Sequence, residues 1–321
     1  MVTGRDVWLC RTDRPTRRMA GAWPRPPTHR PVELVGSDVM TPQAYCQDVL
    51  DRRAPEWRVM LSFTPAGTRS MLEALYALRV EIEDLAIHAV EPGVAATKLQ
   101  WWRDGLSAYP ETHDHPILVA LAQAGGKPLD RSRLLTWCDG WGSELQYREI
   151  EDERDLDDLL MRRGGHFGAL VADALDRNAA LAGQHWGVLA AWPRHLLRLP
   201  RQAAQGHVEL PVAWLHDAGL TPMQLAATPP ETPVQTFYGR LIQQVEQRLE
   251  HLQTTQPSRP ALLPHRLELA LAMQRLARWR HRQFEASAAQ QAVPPIRRLG
   301  ILWQAARRHR RALRQPSHFQ P

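Results

Sequence analysis

Lysine is almost missing from this 321-residue chain. Lys98 and Lys127 are the only two, and arginine supplies the rest of its 40 basic side chains. A GC-rich genome accounts for that bias without any functional cause. Cysteine is scarce too. Cys10, Cys46 and Cys138 are odd in number, far apart and without a CxxC pair. That excludes a disulfide framework and a zinc ribbon, and a reducing, cytoplasmic setting is expected. No apolar run approaches the ~18 residues that span a bilayer, and mean hydropathy is -0.41. The first 30 residues hold arginine and proline but no apolar stretch of a secretory signal. Alternating strand patterns and Asn-Gly or Asp-Gly hairpin turns are missing. So are GxGxxG, the P-loop, GxSxG and HExxH, which removes the common nucleotide-binding, serine-hydrolase and zinc-protease readings.

What is present is an ordinary soluble composition, 44% apolar and 23% charged, with an uneven charge distribution. The formal net charge is +6. Residues 1–40 carry a net +3 and residues 259–321 a net +11, so residues 41–258 carry a net -8. The basicity belongs to the two ends of an acidic body.

Helix signals dominate. Residues 1–40 contain five prolines and no apolar stripe, and read as a disordered Pro/Arg-rich arm. Thr41-Pro42 is an N-cap followed by proline at the first helical position, and Thr64-Pro65 repeats it. Met71, Leu72, Leu75, Leu78, Ile82 and Leu85 recur at helical spacing through about His88. Further helices are expected over 94–108, 131–148 behind Asp130, and 156–176 behind Asp155 with a break near Gly164-Gly165. Others follow over 179–199 with an interruption at Pro193, after Thr221-Pro222, and over 232–253, 261–286 and 296–313. No linker divides the body and no repeat is visible. The expectation is one all-α domain over 41–315, with basic helices from about 259.

Glu81, Glu83 and Asp84 form an acidic cluster on the 64–88 helix. Carboxylates on one helix face can hold hydrated Mg²⁺ with a phosphate. Here the next turn offers Ala86, Ile87 and His88, so a solvated acidic face competes with a metal site. His113-Asp114-His115 sits in a polar turn, and His281 with Glu285 shares one helix face. Neither has an evident further ligand. Trp101 and Trp102 are adjacent and must face different ways, so at least one packs inward. Twelve tryptophans against five phenylalanines suit large apolar walls.

Several blocks in order carry a family resemblance. Leu75-Tyr76-Ala77-Leu78-Arg79 followed by Glu83-Asp84 resembles the "LYAF-R" and first aspartate-rich (DDxxD) motif of the squalene/phytoene synthase family. Lys98-Leu99-Gln100-Trp101-Trp102-Arg103 and His115-Pro116-Ile117 resemble its "KLxWWRxEL" and "HPVxxAL" segments. Trp141 to Leu145 with Tyr147, then Asp157-Asp158 and Gly164-Gly165-His166-Phe167-Gly168, resemble its "AGxvG" region. Gln205-Gly206-His207-Val208-Glu209-Leu210-Pro211 resembles "RGRVYLP", and the order holds over about 42–250.

The resemblance implies an isoprenoid-synthase-type helical bundle and head-to-head joining of two prenyl diphosphates such as farnesyl or geranylgeranyl diphosphate. In that chemistry Mg²⁺ held by two aspartate-rich motifs binds the leaving diphosphate. Glu83 and Asp84 stand at the implied metal positions. Tyr76, Arg79, Tyr147, Arg198 and Arg201 stand where a diphosphate or the cavity wall is implied. The sequence also departs from the pattern. Ile87 replaces the last aspartate of the first motif. Arg198, Arg201 and Gln202 replace carboxylates of the second, and Glu56 and Trp57 replace the Ser-Phe cradle. Guanidinium repels Mg²⁺ but pairs with phosphate in bidentate fashion.

Three readings follow from these departures. One is a prenyltransferase using Mg²⁺. A second is a protein binding prenyl diphosphate or a related lipid through arginines. The third is a non-enzymatic assembly or scaffold factor at a membrane, like the complex I assembly branch of the family. For the Arg-rich C-terminus, a solvated face competes with peripheral contact at the inner membrane face through a basic amphipathic helix. Nucleic acid is disfavoured by the acidic body and the lack of a reader motif.

Overall fold

A computed structural model of the chain describes residues 40–88, 91–111, 114–125, 128–142, 145 and 149–314. The expected arm lies outside the described residues except for Met40. Among the described residues the regular structure is helical, and the one β feature is an isolated bridge between Ile150 and Pro211. The expectation of an all-α bundle therefore holds.

The first helices are α1 (Pro42–Arg53), α2 (Pro55–Leu61) and α3 (Ala66–Ile87). Thr41 caps α1 as expected, its hydroxyl accepting from the Ala44 amide at 3.2 Å. Thr64 does not cap α3. Its hydroxyl donates to the Leu61 carbonyl at 2.6 Å, closing α2 instead, and Pro65 is the residue before α3. α3 is buried along most of its length, so it serves as the axis of the N-terminal half. Around it lie α4 (Pro92–Ala108), α5 (Pro116–Gln123) and α6 (Arg131–Gly142). Asp130 accepts from the Arg133 amide at the start of α6. The helix expected over 131–148 ends at Gly142, and most of residues 143–148 lie outside the described set. Trp102 is buried while Trp101 is half exposed. His115 caps α5 through Nδ1 and packs edge-on to both tryptophans, which is a structural role. Cys46 and Cys138 are buried free thiols, pushed up to about 12 by burial.

The next stretch comprises α7 (Glu153–Leu160), a π-helical turn (Met161–Gly165) and α8 (His166–Asp173). Asp152 caps α7 and not Asp155. Asp155 answers as the reciprocal partner, accepting from the Glu151 amide at 3.2 Å. The expected break at Gly164-Gly165 is the π turn. α9 (Ala180–Leu196) continues through Pro193, against expectation. The proline sits only one turn from the end, where little of the helix remains to be broken.

Beyond α9 come α10 (Leu199–Ala204), α11 (Val212–Asp217) and α12 (Thr232–Thr255). The chain ends in α13 (Leu263–His281), α14 (Ala286–Ala289) and α15 (Pro295–Ala312). The helix expected over 261–286 stops at His281. Gln283 and Phe284 turn left-handed there, with φ of 51° and 64°. The turn lets the Phe284 ring pack against Trp279 and Tyr238, and Trp279 Nε1 donates to the Glu285 carbonyl.

Two apolar clusters fill the interior. One gathers α1–α6 around α3, and the other gathers α9, α12 and α13. The π turn and α8 lie against α9 through four glycines. A Cβ on Gly168 would sit 2.3 Å from the Gly183 carbonyl oxygen, and one on Gly187 would sit 2.3 Å from the Gly164 carbonyl oxygen. Only glycine allows this backbone approach. It draws the end of α9 and the π turn to the junction of the two clusters. Replacing Gly187 with Ala is expected to destabilise by about 1–3 kcal/mol or more through overpacking. Gly239 in α12 has nothing within 4 Å of its would-be Cβ, and Gly239→Ala is expected to stabilise by about 0.5–1 kcal/mol. Thermal unfolding followed by circular dichroism checks both signs.

Candidate functional site

Tyr76, Arg79 and Glu83 are spaced three and four residues apart on α3, so they share one face, and all three are buried. Arg79 Nε donates to Glu83 at 2.7 Å, and its Nη1 lies 2.9 Å from Glu268 of α13. The Tyr76 hydroxyl donates to Glu268 at 3.2 Å. Arg194 of α9 closes the ring, donating to Glu268 at 3.1 Å and with its other nitrogen to Glu83. Two guanidiniums and two carboxylates thus alternate at the junction of α3, α9 and α13. Below them Trp57, Tyr76, Phe167 and Trp137 pack ring to ring, with centroids 5.1–5.3 Å apart. The Arg79 guanidinium lies 4.4 Å from the Phe167 ring centre and 4.8 Å from that of Trp57, a cation–π arrangement.

Electrostatics follow from this enclosure. Burial pushes Glu83 above the ordinary carboxylate range, and Arg79 only partly pulls it back. Burial works against the charge of Arg79, but Glu268 and Glu83 outweigh it and hold the guanidinium above its usual value. Burial, reinforced by Glu268, raises Tyr76 well above the ordinary phenol value.

A second buried group lies alongside. Arg163, carried by the π turn, donates to both oxygens of Glu209 at 2.7 Å, and Gln202 donates to the same carboxylate at 2.7 Å. Burial alone would raise Glu209, but Arg163 holds it well below the usual range. His195 of α9 is fully buried, with Nε2 2.7 Å from the Glu209 backbone carbonyl. Burial lowers His195 to about 4, so it is neutral, with Nε2–H donating and Nδ1 open to accept. Arg198 faces that Nδ1 at 3.4 Å and lies 4.0 Å from Glu209. Its Nε is buried without a hydrogen-bond partner.

Between the two groups opens a cavity of about 460 Å³. Its wall includes seven arginines, residues 53, 79, 163, 194, 198, 201 and 275, against the carboxylates of Glu56 and Glu83. Ile87, Trp141, Leu160, Ala191 and Leu197 supply its apolar surface. Arg201 reaches back to α3, donating to the Ile87 carbonyl and meeting His88 Nδ1 at 3.0 Å. A cation placed there complements the C-terminal end of the α3 dipole.

The structure therefore places Arg79, Glu83, Arg198 and Arg201 on one cavity, with Tyr76 behind Glu268. Asp84 is turned away and is 40% exposed. It pairs with Arg53 at 2.7 and 2.9 Å, and Arg53 also meets Glu81. Glu83 and Asp84 thus do not converge. Tyr147 and His113 lie outside the described residues. Glu268, Arg163 and Glu209 were not singled out in the sequence for this site. Glu268 offered one signal, a lone acid between Leu267 and Leu269 in a helix otherwise rich in arginine.

This donor set does not suit Mg²⁺. The ion needs open oxygen ligands, whereas Glu83 and Glu268 each already meet two guanidiniums. Arg198 and Arg201 add positive charge to the same cavity. Among the described residues no group of three or more His, Cys, Asp or Glu side chains is placed to hold a metal ion.

Comparison with known proteins covers most of the chain. The squalene/phytoene synthase family model matches residues 51–307. A dehydrosqualene synthase crystal structure with bound ligand aligns at a TM-score of 0.75 and 14% identity, over 84% of this chain and 97% of that one. A squalene synthase from Alicyclobacillus acidocaldarius aligns at 0.60 and 18% identity, over 76% and 95%. At these identities the structural likeness speaks for the fold. No curated protein matches the sequence.

Two outcomes test the electrostatics. Glu268→Ala leaves Arg79 and Arg194 short of a counter-ion and is expected to cost about 3–5 kcal/mol in urea unfolding. The second concerns acid. His195 and His265 are both held at about 4 by burial, against an ordinary 6.5. Between those values the unfolded chain takes up protons that the folded one refuses, so their contribution is complete above pH 6.5 and is lost as pH falls toward 4. Glu83, raised by burial, carries the opposite sign and offsets part of this. The urea midpoint is expected to fall from pH 7 to pH 4.5, and His265→Asn to remove about one proton from the slope.

Proposed function

The chain belongs to the squalene/phytoene synthase family, and we propose that it binds a prenyl diphosphate or related anionic isoprenoid lipid through arginines, without Mg²⁺. The observation that carries this reading is the pairing at the family's metal positions. Glu83 is locked between Arg79 and Arg194, Asp84 is held outside by Arg53, and Arg198 and Arg201 stand where the second motif would supply carboxylates. The ring of four charges is balanced, so an incoming ligand meets the further guanidiniums of Arg198 and Arg201 on the cavity wall. Guanidinium suits this task because its planar fork can hold two phosphate oxygens at once.

The cavity volume also supports binding over condensation. About 460 Å³ lies toward the lower end of the ~300–1,000 Å³ of single-ligand pockets. Head-to-head joining needs two prenyl chains side by side. The aromatic stack under Arg79 fills the space below the ion ring, which leaves room for one headgroup-bearing ligand. In this reading the apolar wall from Ile87 to Leu197 takes the first part of the hydrocarbon. The scaffold reading, an assembly factor at a membrane, shares the loss of metal chemistry and differs in having a protein partner.

Calorimetric titration with inorganic diphosphate and with farnesyl diphosphate tests the proposal. Binding is expected in EDTA, with no gain on adding Mg²⁺. Arg198→Ala is expected to weaken it by about 1.5–3 kcal/mol, the worth of a charged hydrogen bond. Formation of a condensed hydrocarbon from farnesyl or geranylgeranyl diphosphate with Mg²⁺, lost in Glu83→Ala, would sink the reading. So would binding that appears only when Mg²⁺ is present.

A further inference from the structure

We propose that the outer face of α15 docks the protein on an anionic phospholipid bilayer. α15 packs inward through Arg298, Leu302, Ala306 and His309, which recur every three or four residues and are buried. The exposed flank beside this buried row carries Ile296 at 86% exposure, Leu299 at 53% and Trp303 at 51%. Their spacing of three and four residues makes one apolar row, which differs from singly scattered surface residues. The Arg307 guanidinium lies 5.2 Å from the Trp303 ring centre. An indole with a cation beside it is amphipathic in the way that the headgroup level of a bilayer favours.

The charge around this row has one sign. α15 contains no acidic residue, and Arg297, Arg307, Arg308, Arg310 and Arg311 are exposed along it. Next to its first turn, Arg278, His281, Arg282 and Arg297 line a shallow hollow of about 420 Å³. Residues 275–314 hold eleven arginines and one acid, Glu285. Attraction of arginine to anionic lipid and insertion of the apolar row act together on such a helix. Nucleic acid would use the arginines but give the apolar row nothing to bury against, since most of its contacts are to phosphate and sugar. A second copy would bring eleven arginines against their like. Among the described residues no helix is long and apolar enough to cross a membrane, so the contact is with the surface.

The start of α15 lies close in the chain to the cavity lining. Ala289, Gln290 and Ala292 form one stretch of its rim. Arg275 and Arg278 pin that stretch by donating to the carbonyls of Ala289 at 3.2 Å and Ala292 at 2.9 Å. α15 starts three residues further on. Docking itself needs nothing in the cavity, so it stands or falls apart from the ligand proposed above.

Flotation of the full-length protein with vesicles free of prenyl diphosphate tests the idea. The protein is expected to float with vesicles of mixed phosphatidylcholine and phosphatidylglycerol and to stay behind with phosphatidylcholine alone. The exposed double variant Ile296→Ser/Trp303→Ser, with its unfolding temperature checked as unchanged, is expected to lose about tenfold or more of the bound fraction. Exchanging Arg307, Arg310 and Arg311 for Gln is expected to do the same at moderate salt. Equal flotation with both vesicle types, no flotation with either, or full flotation of the double variant would overturn the proposal. Retention on RNA or duplex DNA that anionic vesicles do not compete would overturn it too, as would a dimer that the double variant abolishes.

Discussion

The ring of Arg79, Glu83, Arg194 and Glu268 fixes what the rest of the interior can be. Each member is a charge taken out of water, which costs several kcal/mol unless a partner stands beside it. The ring meets that condition by giving each carboxylate two guanidiniums and each guanidinium two carboxylates. Because the four come from α3, α9 and α13, the same contacts set the spacing of those helices. The aromatic stack below supplies ring faces to Arg79. The carboxylates thereby serve as counter-ions to the protein's own arginines.

Such an arrangement demands accurate placement of α9, and the glycine contact provides it. With Gly164 and Gly168 against Gly183 and Gly187, the backbones of the π turn, α8 and α9 touch without intervening side chains. The end of α9 then carries Arg194 into the first buried group and His195 into the second. The π turn itself inserts one residue into the helical register. It thereby places Arg163 opposite Glu209 while Gly164 still faces Gly187. π turns of this kind are frequent at functional sites.

Much of this was legible in the sequence, and what was not has identifiable causes. The long periodic helices and most proline-marked starts stood out because burial of one face and the missing proline N–H leave strong local signals. Arg79, Glu83, Arg198 and Arg201 could be placed at one site through their positions in the motif blocks. Glu268 could not, since it lies 185 positions beyond Glu83 in a helix whose other charges are basic. Pairing between distant chain segments leaves no local periodicity. The stop of α13 at His281 was also hidden, because Gln283 and Phe284 adopt left-handed backbone without the glycine that would announce it. The reward is tertiary: the Phe284 ring fills a gap beside Trp279 and Tyr238. Thr64 failed as a cap for a similar reason, since its hydroxyl had a nearer carbonyl in Leu61.

The pattern of replacement bears on whether the metal site has simply decayed. Loss of ligands one by one would strand buried carboxylates beside hydrophobic neighbours, a state that costs more than the exposed pair it replaced. The carboxylates of the two buried groups instead each have a guanidinium partner. Glu83 and Glu268 are neutralised by Arg79 and Arg194, and Glu209 by Arg163, with Gln202 filling a further lone pair. Further guanidiniums, Arg198 and Arg201, stand at the cavity wall, where Arg275 pairs with Glu56 at 3.6 Å, and more arginines follow along α15. An anion approaching from that edge meets net positive charge before it reaches the balanced ring. A gradient of this form suits capture and holding of an anionic headgroup.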